Sequence, residues 1–257
     1  MLVTFLWSTS FVIIKLGLKD IPPLTFAGLR YFIAFVSLLP FVFRKDKLAE
    51  IKSFDRKIWR KLVLLGIIFY TATQGTQFIG LSLLPSVTVS LWLNFTPIIV
   101  ALLGIALLSE IPTKQQWIGT ILFIVGIIVY FFPVALSGDQ TLGLIVMTIG
   151  VLANSGSAIL GRDINRSGKH HPLIVTTISM GVGSILLLIV GITFQGLPTL
   201  NIINIFYLLW LAIINTAFAF TLWNISLRTL TAMESSIING TMLIQIAVLA
   251  WIFLGEV

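Results

Sequence analysis

Long apolar runs, separated by short polar turns, constrain this chain more than any other feature. About 20 helical residues cross a hydrocarbon core of roughly 30 Å, and on that scale the sequence divides into nine runs. They cover approximately 1–18, 22–43, 59–83, 86–109, 115–134, 141–162, 172–194, 203–226 and 233–255. The chain is therefore predicted to be an all-α, polytopic integral membrane protein.

Composition agrees with a membrane location. Hydrophobic residues make up 58% of the chain and charged residues 10%, whereas soluble domains carry about 25% charged residues. A soluble protein this apolar could not cover its own surface. The net charge of +7 would indicate nucleic acid in a soluble chain, but here the basic residues lie mostly in short loops. We therefore expect the lipid bilayer, and no nucleic acid, as a partner.

The loop 44–61 predicts how the chain is oriented. It holds eight of the sixteen Lys and Arg residues, and loops rich in these residues stay in the cytoplasm. Alternation of the spans then places the N-terminus in the cytoplasm as well. The outer loops near Asp139 and at 195–201 contain no Lys or Arg. We expect a multi-pass protein of the plasma membrane with a cytoplasmic N-terminus.

Two segments that are far apart in the chain have similar sequences and align without a gap. The segments 86–110 and 232–256 align at one constant offset, and both end in Leu-x-Glu, at Glu110 and Glu256. The predicted topology places these two carboxylates on opposite sides of the membrane. Inverted repeats of this kind are typical of transporters with a site near the bilayer midplane.

Short motifs in both halves resemble one family. Residues 7–34 contain W-x-T-x-F, K-x-G-L before a Pro-Pro turn, and L-R-Y, and residues 94–98 read N-x-T-P-I. Together with the terminal Leu-x-Glu, these motifs resemble the EamA-like domain of the drug/metabolite transporter superfamily. The resemblance extends over essentially the whole chain.

The resemblance implies ten helices in two five-helix repeats of inverted topology. Nine are visible here, so residues 1–134 would form the first repeat. Residues 135–257 would form the second, which lacks the expected last helix. The family carries small metabolites, among them amino acids, sugars and nucleotide-linked sugars, and drugs. The resemblance does not choose between them.

Polar side chains inside the predicted spans are the candidates for a substrate site, because an unpaired polar group in hydrocarbon costs several kcal/mol. Tyr70, Gln74 and Gln77, for example, fall at i, i+4 and i+7 and share one helix face. The candidate cavity-lining residues are Trp7, Ser8, Thr9, Arg30, Tyr70, Gln74, Gln77, Trp92, Asn94, Asn154, Asn215, Trp223 and Asn239. Such residues also hold membrane helices together, and that alternative stays open for each of them.

Arg30 is predicted to lie roughly 12 Å into its span, eight residues after Pro22 at 1.5 Å per residue. A charge at that depth is costly unless it is paired or faces water. One interpretation is an ion pair, with Glu256 as a candidate partner. The other is recognition of a substrate carboxylate or phosphate, since a guanidinium offers a fork that matches such groups. Both interpretations stay open at this point.

The sequence contains few features that would indicate an enzyme. The chain has no cysteine, and no P-loop, dinucleotide fingerprint or nucleophile elbow is present. His170 and His171 are adjacent in a predicted cytoplasmic loop without a carboxylate one turn away. We expect no catalytic residues, no metal site and no cofactor. The carboxylates Glu110, Glu234 and Glu256 fall at helix ends, which favours a uniporter or exchanger over proton coupling.

The predicted function is therefore a secondary transporter rather than an enzyme. It would move a small metabolite across the plasma membrane by alternating access at a midplane cavity between the repeats. A non-transporting membrane scaffold or channel subunit is the first alternative, and an intramembrane enzyme is the second. Assembly into a homodimer is left open.

The inverted topology can be checked with two reporter tags, one after Gly138 and one between Lys47 and Lys57. The tag between the lysines is expected to be accessible only from the cytoplasm, and the tag after Gly138 only from outside. Accessibility of intact and permeabilised cells to a membrane-impermeant label measures both. Labelling of both tags from one side would contradict the predicted arrangement.

Overall fold

The computed structural model describes residues 1–108, 113–131 and 138–256, and every regular element within them is helical. The helices are α1 (Leu2–Gly17), α2 (Pro23–Val42), α3 (Lys45–Lys52), α4 (Arg56–Leu83), α5 (Ser86–Leu108), α6 (Lys114–Phe131), α7 (Gly138–Asn165), α8 (Pro172–Gln195), α9 (Ile202–Ser226) and α10 (Ala232–Leu254). The all-α fold class is confirmed for these residues.

Seven of the described helices, α2, α4, α5 and α7 to α10, are long and apolar enough to cross a membrane. Helix α1 is a shorter apolar helix. The chain is thus a multi-pass membrane protein. The count of nine spans and the two-repeat arrangement stay predictions, and Glu110, with the ends predicted at 109 and 134, lies outside the described residues.

The predicted hydrophilic loop 44–61 is partly helical, which corrects the sequence interpretation. Helix α3 lies within it, and none of its residues is buried. Helix α4 begins at Arg56, three residues before the predicted span. Its start is determined by Asp55, whose carboxylate accepts a hydrogen bond of 2.8 Å from the Ile58 amide. A side-chain cap of this kind can start a helix well before its apolar stretch.

His171, which lies in the predicted cytoplasmic loop, caps the start of α8. Its Nδ1 accepts a hydrogen bond from the Leu173 amide at 3.2 Å, and its own amide donates to Glu50 of α3 at 2.8 Å. Burial, followed by the charge of Lys47, lowers the pKa of His171. The neutral form that can accept this bond is therefore favoured near neutral pH.

Helix α8 packs between α2 and α4, and glycines allow its backbone to come close to both helices. A Cβ at Gly28 would lie 2.6 Å from the Leu188 Cα, and one at Gly191 would lie 2.6 Å from the Thr25 amide nitrogen. On the other side, Gly183 lies directly against the carbonyl of Gly66. Lipid tails are as apolar as side chains, so close packing of small residues is a main source of helix association in membranes.

The turn at Pro85 is held by charged residues from both ends of the chain. Lys15 donates hydrogen bonds to the carbonyls of Leu81 and Leu84 at 2.8 and 2.6 Å, which satisfies the C-terminus of α4. Glu256 accepts a hydrogen bond of 2.7 Å from the Ser86 amide at the start of α5. Glu256 therefore caps a helix and is not the ion-pair partner of Arg30.

Glu234, which the sequence places at a helix end, caps the start of α10. Its carboxylate accepts a 2.8 Å hydrogen bond from the Thr231 amide, and the Thr231 hydroxyl accepts one of 3.2 Å from the Glu234 amide. This reciprocal pair is a capping box. The carboxylate therefore stabilises the first turn of the helix.

Gly183→Ala is expected to destabilise the protein by about 1–3 kcal/mol, because the new methyl group overlaps the Gly66 carbonyl and the Tyr70 side chain. Thermal unfolding of the detergent-solubilised protein measures the loss. Gly126→Ala in α6 is the matched control, since a Cβ there would meet nothing within 4 Å. Equal midpoints for the two variants would show that the contact between α4 and α8 contributes nothing.

Candidate functional site

A polar cavity of about 100 Å³ lies inside the bundle, surrounded by α1, α2, α4, α5, α7, α9 and α10. A single water molecule needs about 10–15 Å³ on the same scale, so the cavity has room for several waters or a small solute. The predicted residues that line it are Trp7, Arg30, Gln74, Gln77, Asn94, Asn154 and Asn239. These side chains come from six helices, α1, α2, α4, α5, α7 and α10, which are spread along the sequence.

A second, smaller cavity of about 30 Å³ lies next to the first. It is lined by the predicted residues Tyr70 and Trp223. Phe69, Asn154 and Asn239 line both cavities. These three residues therefore mark where the two cavities adjoin.

Four predicted residues line neither cavity and bridge helices instead. Ser8 donates a 2.9 Å hydrogen bond to Gln245 of α10, and the Trp92 indole donates one of 3.1 Å to Thr148 of α7. The other two, Thr9 and Asn215, take part in the contacts around Arg30 described below.

Arg30 is the charged group of the main cavity and is 2% exposed. Its Nε donates a 2.7 Å hydrogen bond to the Thr216 hydroxyl, and its Nη2 lies 3.3 Å from Ser10 Oγ and 3.4 Å from the Asn215 carbonyl. The guanidinium carbon lies 5.2 Å from the centre of the Tyr31 ring. Among the described residues no carboxylate lies within ion-pair distance of Arg30, so neutral dipoles and an aromatic face surround the cation.

A π-helical stretch of α9, Ile213–Phe218, presents the Thr216 hydroxyl to Arg30. Thr216 donates a 2.7 Å hydrogen bond to the Leu211 carbonyl, five residues back. This bond uses the hydroxyl proton and leaves its oxygen free to accept from Arg30. Single π-helical turns inside α-helices are frequent at functional sites.

The side chain of Asn215 ties α9 to α1 beside Arg30. Its Nδ2 lies 2.9 Å from both Thr9 Oγ1 and Ser10 Oγ, and it also contacts the Leu6 carbonyl. Ser10 is therefore shared between the amide of Asn215 and the guanidinium of Arg30. This network fixes the position of Arg30 relative to three helices.

In the part of the chain that the structure describes, two residues that line the cavity each have a buried polar atom without a hydrogen-bond partner. These atoms are the indole nitrogen of Trp7, a donor, and Oδ1 of Asn239, an acceptor. The Trp7 ring is held by Phe220 and Trp223, at centroid distances of 4.8 and 5.2 Å. An unsatisfied buried group costs about 1–3 kcal/mol, so a hydrogen-bond partner for either atom would stabilise the protein.

Sequence reasoning missed several residues that line the cavity, including Ser10, Tyr31, Phe69 and Phe220. Aromatic residues are common in apolar spans, and nothing in their local pattern distinguishes a cavity wall from a packed core. Ser10 could have been found, since it lies one helical turn after Trp7. Within the described part of the chain, no group of three or more His, Cys, Asp or Glu residues could hold a metal ion.

Comparison with known proteins identifies relatives over nearly the whole chain. The model of the EamA-like transporter family matches residues 1–132 and 141–257. The uncharacterized transporter YoaV of Bacillus subtilis is 24% identical over 91% of this chain and 80% of its own length. An S-adenosylmethionine/S-adenosylhomocysteine transporter of Chlamydia trachomatis is 26% identical over 98% of this chain and 80% of its own length.

Two further comparisons agree with these. A probable amino-acid metabolite efflux pump of Salmonella typhimurium is 26% identical over 87% of this chain and 75% of its own length. A solved crystal structure with 15% identity superimposes with a TM-score of 0.73 over 98% of this chain and 86% of that one. At this identity the structural match concerns the fold alone.

Thr216→Val is expected to destabilise the protein by about 1–3 kcal/mol, because it removes the acceptor of Arg30 Nε and leaves a buried charged donor unpaired. Thr221→Val is the matched control on the same helix, where the hydroxyl donates only to the Ala217 carbonyl. Its effect is expected to stay within about 0.5 kcal/mol. Thermal unfolding in detergent compares the two variants, and an equal loss in both would contradict a special role for Thr216.

Proposed function

The chain belongs to the EamA-like transporter family, and we propose that it is a secondary transporter that carries a small metabolite across the plasma membrane. The observation that carries this proposal is the polar cavity inside an otherwise apolar bundle, with a buried cation and two unsatisfied polar atoms in its wall. Relatives named for transport of S-adenosylmethionine and for efflux of amino-acid metabolites support a small organic cargo.

The arrangement of the two cavities supports alternating access. The smaller cavity reaches Leu65, in the first half of α4, and Leu227, just after α9. The larger cavity reaches Gln77 and Ser90, which flank the Pro85 turn at the other end of α4. The two cavities therefore follow one another along the bundle. Movement of the helices at their shared residues, Phe69, Asn154 and Asn239, would open the larger cavity to one side of the membrane and then to the other.

Paired irregularities support two inverted repeats, 1–134 and 135–257. The offset that aligns 86–110 with 232–256 also maps the π-helical stretch Gly66–Thr73 of α4 onto Ile213–Phe218 of α9, to within a residue at each end. It likewise maps the break in α5 after Asn94 onto the break in α10 at Thr241. Matching interruptions at matching places are expected of a duplicated unit.

Charged contacts recur at equivalent carbonyls, with donors that are one position away from exact equivalence. Lys15 donates to the carbonyl of Leu81, and Arg162 donates to that of Leu227 at 2.8 Å. Leu81 and Leu227 are equivalent positions in the two halves. In the proposed topology, with the N-terminus in the cytoplasm, the first contact lies on the outer side and the second on the inner side.

Blocking the cavity tests the proposed transport. Asn154→Trp places a large side chain where the two cavities adjoin, and it is expected to reduce flux at least tenfold. Leu122→Trp is the matched control, because Leu122 is 67% exposed on α6 and faces lipid in the proposed arrangement. Counterflow in proteoliposomes containing the full-length protein measures the flux of candidate metabolites for each variant.

The outcome of this experiment distinguishes a transporter from a channel subunit and from a scaffold. Saturable counterflow that is lost only in Asn154→Trp supports a transporter. Flux that does not saturate would indicate a channel subunit. Absence of flux for every metabolite tested, with Leu122→Trp and the unaltered protein equally inactive, would favour a scaffold and overturn the proposal.

A further inference from the structure

We propose that the cavity at Arg30 binds the carboxylate of a small, net-negative hydroxy acid. This inference rests on the proposed function, because it names the class of cargo for the same site. It is carried by the surroundings of Arg30 and by two unsatisfied polar atoms that belong to residues lining the same cavity.

Within the described ranges, the guanidinium of Arg30 has no carboxylate partner. Thr216, Ser10 and the Asn215 carbonyl accept hydrogen bonds from Nε and Nη2, and the structure gives Nη1 no hydrogen bond within the described residues. Buried charges in proteins are normally paired. A bound anion that accepts from the free side of the guanidinium would supply the missing charge.

The size of the charge favours a carboxylate over a phosphate. Among the described residues that line the cavity, Arg30 is the only Lys, Arg or His. One guanidinium balances one negative charge, and its remaining nitrogen, Nη1, can donate a charge-assisted hydrogen bond to a carboxylate oxygen. A phosphate would bring up to two charges into the cavity and leave one of them unpaired.

Two other lining residues, Trp7 and Asn239, indicate what else the solute carries. Oδ1 of Asn239 is an unpaired acceptor and the indole nitrogen of Trp7 is an unpaired donor, so a hydroxyl group, which can donate and accept, satisfies either of them. No Asp or Glu is among the described lining residues, so an ammonium group would find no carboxylate there. This combination favours a hydroxy acid over a zwitterion.

Thermal stabilisation of the purified full-length protein in detergent tests the inference. Lactate, 3-hydroxybutyrate and mandelate are each compared with their uncharged amides, and alanine, phosphate and chloride are added as further probes. At least one hydroxy acid is expected to raise the unfolding midpoint saturably, while its amide has no effect. Arg30→Gln is expected to weaken the apparent affinity roughly tenfold to hundredfold, as for loss of a charged hydrogen bond.

Lys15→Gln is the matched control, because it removes a cation from the neighbouring helix at a place outside the cavity. It is expected to leave the response to the acid unchanged. If Arg30→Gln does not fold, the comparison of acid with amide on the unaltered protein decides the question. Equal shifts with acid and amide, a stronger response to alanine, phosphate or chloride, no response to any acid, or full retention of binding in Arg30→Gln would each overturn the inference.

The transport proposal and this inference fail in different ways. Saturable counterflow of a neutral solute that is blocked by Asn154→Trp, without any response to the acids, would leave the transporter standing and overturn the hydroxy-acid site. Stabilisation by an acid that depends on Arg30, without flux, would support the site and overturn transport.

Discussion

The structure depends on one constraint, which is that polar groups within the bilayer must find their partners inside the protein. Helices satisfy this for the backbone, but each helix end leaves amides and carbonyls unpaired. At the Pro85 turn the side chains of Lys15 and Glu256 supply those partners. At the loop that follows α9, Arg162 does so for the carbonyl of Leu227. Charged residues that would be costly in lipid therefore stabilise the ends of neighbouring helices.

The cavity is where this constraint is only partly met. Arg30 has hydroxyl and carbonyl partners but no counter-charge among the described residues, and one polar atom each of Trp7 and Asn239 has no partner. The surrounding network, which includes the π-helical presentation of Thr216, holds these groups in place. Ligand pockets contain a few polar groups that form hydrogen bonds with the bound solute. The same feature that lowers the stability of the empty bundle would then provide affinity for a cargo.

The sequence predicted part of this site because polar residues stand out in apolar spans. The shared face of Gln74 and Gln77 was found from helical spacing, and both residues line the cavity. Ser8 and Trp92 are also polar side chains inside predicted spans, but they form hydrogen bonds between neighbouring helices and do not line the cavity. Hydrogen bonding between helices and lining of a cavity require the same residue types at the same depth. Only the rotation of each helix against its neighbours separates the two roles, and that rotation depends on packing.

The amino-acid sequence alone determined the class of protein, the approximate extent of most helices and the similarity of segments 86–110 and 232–256. Hydropathy, loop charge and a repeated pattern are properties of short segments, so each can be evaluated without knowing what lies nearby. Tertiary structure decided which groups meet. The partner of Arg30 proved to be Thr216, far along the chain, while Glu256, the partner suggested by charge, caps a different helix. Hydrogen bonds between distant segments form only after the helices have packed, and packing depends on contacts such as that of Gly183 with Gly66.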